Sequence, residues 1–147
     1  MPRSFAVNVR RAEPEDDRAI RNLLRRLPME GSMRITLPRE PGFFASTVVE
    51  GQEVDVVVAC EKDSGAVVGV GVRTEKDAFV NGTQTRIGYL GGLRIAPESR
   101  GGRVLFKGYR LLRDFHRQGR AGLYLTTIMQ DNRVVRDLLS SGRAGLP

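Results

Sequence analysis

Two turn signals divide a β-rich stretch in the middle of the chain, and no other feature constrains the fold as strongly. Asp63, Ser64 and Gly65 follow an apolar, β-branched run, and Asn81 with Gly82 interrupts the next one. Asparagine and glycine adopt positive φ at low cost, so this pair predicts a tight hairpin between two strands. The three antiparallel strands so predicted are residues 54–60, 66–80 and 85–95.

The rest of the chain alternates between patterns typical of strands and of helices. Phe5, Val7 and Val9 alternate with less apolar neighbours, which predicts a first, half-buried strand. After Pro14, apolar residues recur at i, i+3, i+4 and i+7, so we predict a helix that ends before Pro28. The remaining predicted elements are a short helix at 43–49, a helix at 102–118, a strand at 123–128 and a helix at 132–140.

This order of elements predicts an α/β fold of the α+β kind, with a mixed, mostly antiparallel sheet flanked by helices. The last two strands are expected to be parallel, because a chain that crosses over through a helix re-enters the sheet in the same direction. Ligands often bind where a sheet changes direction in this way. A length of 147 residues fits a single domain.

The charge balance indicates an anionic partner. The chain has 24 lysines and arginines against 17 aspartates and glutamates, which suits nucleic acid, an acidic membrane face or a phosphate-rich cofactor. The basic residues are spread out without a block or a basic tail, which disfavours nonspecific nucleic-acid binding. No apolar run reaches the roughly 18 residues of a membrane span, and Cys60 follows an apolar run as a buried, reduced thiol would. We therefore expect a cytoplasmic protein with no membrane or metal partner.

The stretch at 89–112 carries the strongest functional signal. A strand stops at Pro97, the chain passes a pair of glycines, and an amphipathic helix begins. The first turn of a helix exposes unpaired N–H groups and a positive dipole end, and glycines let a phosphate approach them closely. Spacing alone leaves two interpretations open, a pyrophosphate site or an ordinary solvated basic face. At about 100° per residue, the basic face holds Arg103, Lys107, Arg110 and Arg117, and the packed face holds Val104, Gly108, Leu111, Leu112 and Phe115.

The same stretch resembles the acetyl-CoA-binding motif of the GNAT superfamily of N-acetyltransferases. In that motif a strand ending in proline leads to an arginine or glutamine, then to x-x-Gly-x-Gly or Ala, and then to a helix. Arg100 matches the first position, and the order of elements over residues 5–142 also follows this family. The resemblance implies direct transfer of an acetyl group from acetyl-CoA to a small-molecule or peptide amine, without a covalent intermediate.

The resemblance also implies which residues bind the donor. The strand segment would offer backbone groups to the pantetheine arm, and the loop with the first helical turn would hold the pyrophosphate. An asparagine at the start of the last helix would contact the donor as well. The residues so implied are Leu93, Arg94, Ile95, Arg100, Gly101, Gly102, Arg103, Val104, Leu105 and Asn132.

The match departs from the family's pattern at three points. Arg103 and Leu105 stand where the motif has small residues, and a positive φ at 103 would cost about 1 to 3 kcal/mol in strain. Leu139 stands where many members carry the tyrosine that protonates the leaving thiolate. The family adds two strands after the last helix, whereas this sequence ends at Pro147, so we expect a fold that lacks them. A second copy of the chain or a downstream domain would then cover the edge of the last strand.

No residue is assigned a catalytic role from the sequence. His116, the only histidine, is expected on the surface, and Glu98 is expected to be a partner of a helix dipole. Tyr89 and Tyr124 lie on predicted neighbouring strands, and Tyr124 is the better candidate for a proton donor. The acceptor site is expected in the irregular stretch at 29–44.

Three functional hypotheses stay open. The first is the N-acetyltransferase that the resemblance implies. The second keeps the fold as a noncatalytic CoA-binding or regulatory domain of a larger protein, which Leu139 and the displaced glycines favour. The third, a nucleic-acid-binding module, follows from the charge alone, and the chain lacks the interleaved aromatic and basic residues that such modules use.

Overall fold

A computed structural model describes residues 6–29, 31–100 and 102–141. Within these residues, five strands and four helices follow one another in the predicted order, and two 3₁₀ turns, Pro14–Asp16 and Pro97–Ser99, stand before helices. The elements are β1 (Val7–Arg11), α1 (Asp17–Arg26), α2 (Phe43–Thr47), β2 (Glu53–Glu61), β3 (Val67–Val80), β4 (Thr83–Ile95), α3 (Gly102–Gln118), β5 (Tyr124–Leu125) and α4 (Arg133–Ser140).

The strands form one sheet in the order β1-β2-β3-β4-β5. The first four are antiparallel to their neighbours, and β5 runs parallel to β4. Asn81 at φ 50° and Gly82 at φ 79° make the tight turn between β3 and β4, as their low cost at positive φ predicts. The predicted fold class, a mostly antiparallel mixed sheet flanked by helices, is confirmed.

The predicted strand at 123–128 is wrong in length, because β5 holds only two residues. Gly88 pairs with Tyr124 and Tyr89 pairs with Leu125, and there the parallel pairing ends. The apolar pattern of residues 123–128 gave no sign of this, because the length of a strand also depends on the partner with which it pairs.

Helices α1 and α3 cover opposite faces of the sheet. Arg94 of β4 donates from Nε to the carbonyl oxygen of Leu27, just after α1, over 3.1 Å. On the neighbouring strand β3, Val70 is the partner of Arg94. Side chains alternate between the two faces along a strand, so Arg73, three positions after Val70, points to the face opposite Arg94. There Arg73 reaches Tyr124, whose hydroxyl also contacts His116 of α3.

The core lies between the sheet and these helices. α1 contributes Ile20, Leu23 and Leu24, which the helical periodicity predicts. β2 and β3 contribute buried valines at alternate positions, which are Val56, Val58, Val68, Val70 and Val72. Cys60 is buried among them with a free thiol, as predicted, and burial raises the pKa of that thiol. Among the described residues, no helix is long and apolar enough to cross a membrane.

Candidate functional site

β4 carries a bulge near its end. Gly91 pairs with Val72 and Arg94 pairs with Val70, so Gly92 and Leu93 stand opposite one residue of β3. Gly92 takes φ 65°, which costs glycine little. A bulge of this kind bends a strand and re-aims its following residues. We call residues 91–95, from the bulge to the last residue of β4, the open end.

The open end faces β5 without a backbone ladder. Two side-chain hydroxyls cross the gap instead: Thr126 Oγ1 donates to the carbonyl oxygen of Leu90 over 2.7 Å, and the Tyr89 hydroxyl lies 2.5 Å from Thr127 Oγ1. The ring of Tyr89 lies over Gly91, where a Cβ would stand 2.5 Å from its Cε1 atom. Glycine at 91 is therefore what allows this ring to reach across to β5.

The open end leads directly into the start of α3. After β4 the chain passes buried Ala96, and the turn Pro97–Ser99 brings Arg100 to an extended conformation. Arg100 is exposed and donates from Nε to the carbonyl oxygen of Ile95 over 3.2 Å. Gly101 lies outside the described residues. α3 starts at Gly102 and runs for 17 residues, so its free N–H groups and positive dipole end lie beside the open end.

Arg103 carries no backbone strain. Among the described residues other than glycine, positive φ occurs at Arg39 and Asn81, and Arg103 is an ordinary helical residue of α3. The backbone strain that a positive φ at Arg103 would cause therefore does not arise. Val104 is buried and Leu105 half-buried, so these two implied donor residues pack the first turn of the helix.

The predicted basic and packed faces of α3 are present, with one addition to the packed face. Arg103, Lys107, Arg110 and Arg117 are all exposed residues, while Val104 and Phe115 are buried. Tyr109 is buried as well, which the predicted packed face omitted. Lys107 donates from Nζ to the carbonyl oxygen of Val7 over 2.8 Å and so ties the helix to β1.

Arg94, an implied donor residue, turns its side chain to the α1 face. Besides the bond to Leu27, its Nη1 donates to the carbonyl oxygen of Leu93 over 2.7 Å. Desolvation lowers the pKa of its half-buried guanidinium. The side chain of Arg94 therefore does not reach the edge of β4 that faces β5.

A cleft of about 770 Å³ opens beside the start of α4. Asp131 accepts a hydrogen bond from the backbone N–H of Ser32, so the connection between α1 and α2 meets the segment after β5 here. Asn132 caps α4, because its Oδ1 accepts from the N–H of Val135 over 3.3 Å. The residues that line the cleft are Ser32, Met129, Gln130, Asp131, Arg133, Arg136 and Asp137.

The opposite end of the β4–β5 pair is closed by a group of two buried and three half-buried polar side chains, which we call the charged base: Asp55, Arg73, Glu75, Arg86 and Tyr124. Glu75 is 0% exposed and Arg73 is 2% exposed. Arg73 donates to the Tyr124 hydroxyl over 2.9 Å and to Asp55 Oδ2 over 2.8 Å, and it also pairs with Glu75. Sequence reasoning singled out Tyr124 as a candidate proton donor but missed the charged residues around it.

Backbone groups complete the charged base. Glu75 accepts from the N–H groups of Arg120 at 3.1 Å and of Ala121 at 3.3 Å, in the loop between α3 and β5. Burial alone would raise the pKa of Glu75, but these N–H groups and the Arg73 charge outweigh it and hold the pKa below its ordinary value of 4.5. Glu75 therefore stays ionised and fixes the loop that leads into β5.

The structure changes the ranking of the catalytic candidates. His116 is half-buried and its Nδ1 lies 3.0 Å from the Tyr124 hydroxyl, so the predicted surface role is wrong. Arg73 and His116 both engage Tyr124 at the closed end of the strand pair, whereas Tyr89 reaches the open end. Glu98 is exposed and lies 3.9 Å from Arg26.

Comparison with solved structures decides the fold. No family model matches the sequence, and no curated protein matches it. Glucosamine-6-phosphate N-acetyltransferase of Arabidopsis thaliana superposes with a TM-score of 0.67 at 18% identity, over 97% of this chain and 92% of that chain. The chain has the fold of the GNAT acetyltransferases.

Two further GNAT-fold neighbours match over similar lengths. An acetyltransferase of Trypanosoma brucei gives a TM-score of 0.64 at 17% identity, over 97% of this chain and 93% of that chain. The aminoglycoside N-acetyltransferase AAC(6')-Iy, in complex with a bisubstrate analogue of CoA, gives a TM-score of 0.69 at 13% identity, over 97% of this chain and 91% of that chain. At these identities the likeness establishes the fold, which confirms the resemblance seen in the sequence at that level.

Proposed function

We propose that this chain is an N-acetyltransferase that moves an acetyl group from acetyl-CoA to an amine. One observation carries the proposal: the open end of β4, which has no backbone ladder to β5, leads through Arg100 into the positive end of α3. A donor with a pyrophosphate and a peptide-like arm needs a free strand edge for the arm next to a positive site for the pyrophosphate. AAC(6')-Iy, which shares the fold, is bound to a CoA analogue.

The pantetheine arm would lie along the open end. Among the described residues, the edge of β4 beyond Tyr89 that faces β5 has no strand neighbour. The carbonyl oxygens of Leu90, Leu93 and Ile95 already accept from side chains, so we expect backbone N–H groups of this edge to donate to the amide carbonyl groups of the arm. A backbone N–H at the bulge would also polarise the thioester carbonyl, because the negative charge that develops on the oxygen needs a donor close by.

The pyrophosphate would lie at the start of α3. The free N–H groups and dipole of a 17-residue helix favour an anion there, and exposed Arg103 adds a second positive charge. Arg100 would contribute its remaining guanidinium donors, while its Nε stays on the carbonyl oxygen of Ile95. The overall charge of +7 supports attraction of such a donor.

The amine would enter through the cleft beside α4. This cleft joins the connection between α1 and α2, where we expected the acceptor site, to the segment after β5. It offers two carboxylates, Asp131 and Asp137, and two guanidinium groups, Arg133 and Arg136. Such a mixed lining suits a small polar amine better than an apolar one.

Titration calorimetry with acetyl-CoA at low salt tests the donor site. Loss of a charged hydrogen bond costs roughly 1.5 to 3 kcal/mol, so Arg100→Ala should weaken binding by about 10- to 150-fold. Arg117→Ala removes the same charge from the far end of α3 and should change affinity by less than about threefold. Equal losses of affinity in both variants would mean that overall charge, and not a specific site, accounts for donor binding. If the wild-type protein does not bind acetyl-CoA, the donor site is refuted.

The alternative is a noncatalytic CoA-binding or regulatory domain. Leu139 favours it, because this half-buried residue of α4 has no proton to donate to a leaving thiolate. A thiol-release assay across a panel of amines separates the two functions. The acetyltransferase predicts amine-dependent release of CoA, and the binding domain predicts affinity for the donor without release.

A further inference from the structure

The proposed reaction leaves one requirement unmet. When the amine displaces the thioester sulfur, the carbon–sulfur bond breaks and the sulfur carries the electron pair away as a thiolate. A positioned acid that protonates this group speeds such a step. Leu139 cannot serve, and the Tyr124 hydroxyl is held by Arg73 and His116 in the charged base. The acid must therefore come from another element.

Tyr89 is the phenol that reaches the open end. It is the last residue of β4 that pairs with β5, and its ring lies over Gly91 toward the bulge. Its hydroxyl lies 2.5 Å from Thr127 Oγ1, across the gap between the two strands. The ring is half-buried and Thr127 is exposed, so the pair lies at the surface of the gap where a bound group can reach it.

Proton counting supports a donor role for this pair. Two hydroxyls carry two protons, and their mutual hydrogen bond uses one of them. If Thr127 donates to Tyr89, the phenol proton is free for a group bound at the open end. Thr127 would thus position Tyr89, because its bond from the segment after β5 fixes the direction of the ring and of its hydroxyl.

We propose that Tyr89, positioned by Thr127, protonates the leaving CoA thiolate, an assignment that rests on the proposed function. The nitrogen lone pair of the amine attacks the thioester carbon, a carbon–nitrogen bond forms, and the carbon–sulfur bond breaks toward sulfur. The sulfur takes the phenol proton and leaves as the thiol. The amine nitrogen releases its extra proton to water, and the phenolate takes a proton back from water. The products are therefore the N-acetylated amine and CoA.

Steady-state kinetics of Tyr89→Phe, with the donor dissociation constant measured in parallel, tests this role. The variant keeps the ring over Gly91 and loses only the hydroxyl. A general acid contributes roughly 100-fold or more, so kcat should fall by about that factor while the donor dissociation constant stays within about twofold. Tyr109→Phe removes the same atom from a buried tyrosine of α3 and should leave kcat unchanged.

The positioning role of Thr127 has its own readout. Thr127→Val removes the hydroxyl and should lower kcat at constant donor affinity, whereas Thr127→Ser keeps it and should restore most of the rate. A purely structural role predicts instead that both variants lose thermal stability and rate together.

The outcomes separate this inference from the function on which it rests. If the wild-type protein acetylates an amine and Tyr89→Phe is equally active, Tyr89 is not the acid and the proposed function stands. If the wild-type protein binds acetyl-CoA and releases no thiol with any amine, both are overturned.

Discussion

The two ends of the β4–β5 pair satisfy their polar groups in opposite ways. At the charged base, buried Arg73 and Glu75 satisfy each other, and Asp55, Tyr124 and two backbone N–H groups complete the set. At the open end, β4 carries a bulge and has no ladder to β5, and just before it Tyr89 and Leu90 meet two threonine hydroxyls of the segment after β5. One end holds the strands together with protein groups, and the other leaves groups available to a ligand.

This difference indicates how a two-residue strand could help to form the proposed donor site. A parallel pair of that length has little stability of its own, so β5 depends on the charged base for its position. The base fixes where β4 and β5 begin to diverge, and that point sets the width of the gap at the open end. The predictions below address the base first, because the open end depends on it.

The largest expected effect comes from Glu75→Ala. Removing Glu75 takes one of two carboxylate partners from buried Arg73 and leaves the N–H groups of Arg120 and Ala121 without their acceptor, and loss of one partner of a buried ion pair costs about 3 to 5 kcal/mol in the free energy of unfolding. Asp77→Ala, two residues along β3, removes an exposed carboxylate that pairs with Arg86 at 3.2 Å and should cost less than about 1 kcal/mol. Urea denaturation measures both, and similar losses would show that the charged base does not hold the sheet together.

A second effect concerns the space that Tyr124 occupies. A Cβ on Gly88 would overlap the ring of Tyr124, so Gly88→Ala must displace that ring and its bond to Arg73. Overpacking of this kind costs roughly 1 to 3 kcal/mol. Gly108→Ala on α3 has open space around the new methyl group and should stabilise the protein by about 0.5 to 1 kcal/mol. Thermal unfolding of the two variants should therefore shift in opposite directions.

The smallest expected effect is a loss of stability of the folded protein at acidic pH. The pKa of Glu75 is lower in the folded protein than its ordinary value of 4.5, so its contribution to stability is fully present above pH 4.5 and is lost as the pH falls through the lowered pKa. Glu75→Gln should therefore lose less stability than the wild-type protein below pH 4.5. Parallel acid-unfolding curves for the two proteins would contradict this assignment.

Most of the fold could be predicted from local patterns. The hairpin at Asn81 and Gly82 and the bounds of α3 follow from residues close together in the chain. The charged base could not be predicted, because Arg73 finds its partners Asp55 and Tyr124 at separations of 18 and 51 residues. Polar residues in the middle of a strand give no local sign that distant partners will bury them.

The candidate site was predictable only in part. The motif around Arg100 indicated where a donor would bind, but the bulge at Gly92 depends on the register between β3 and β4. Tyr89 and Thr127 meet because β4 bends and β5 ends early. The ranking of Tyr124 above Tyr89 rested on the nearness of Tyr124 to Thr126 and Thr127 in the sequence, whereas Thr127 contacts Tyr89 instead.

A titration of ¹⁵N-labelled protein with acetyl-CoA, followed by amide NMR, tests the central claim most directly. The account predicts that the largest shift changes fall on the amides of Leu93, Ile95 and the first turn of α3, while those of Arg120 and Ala121 at the charged base stay in place. Saturable changes confined to the charged base or to the tip of the β3–β4 hairpin would contradict it, as would a spectrum that acetyl-CoA leaves unchanged.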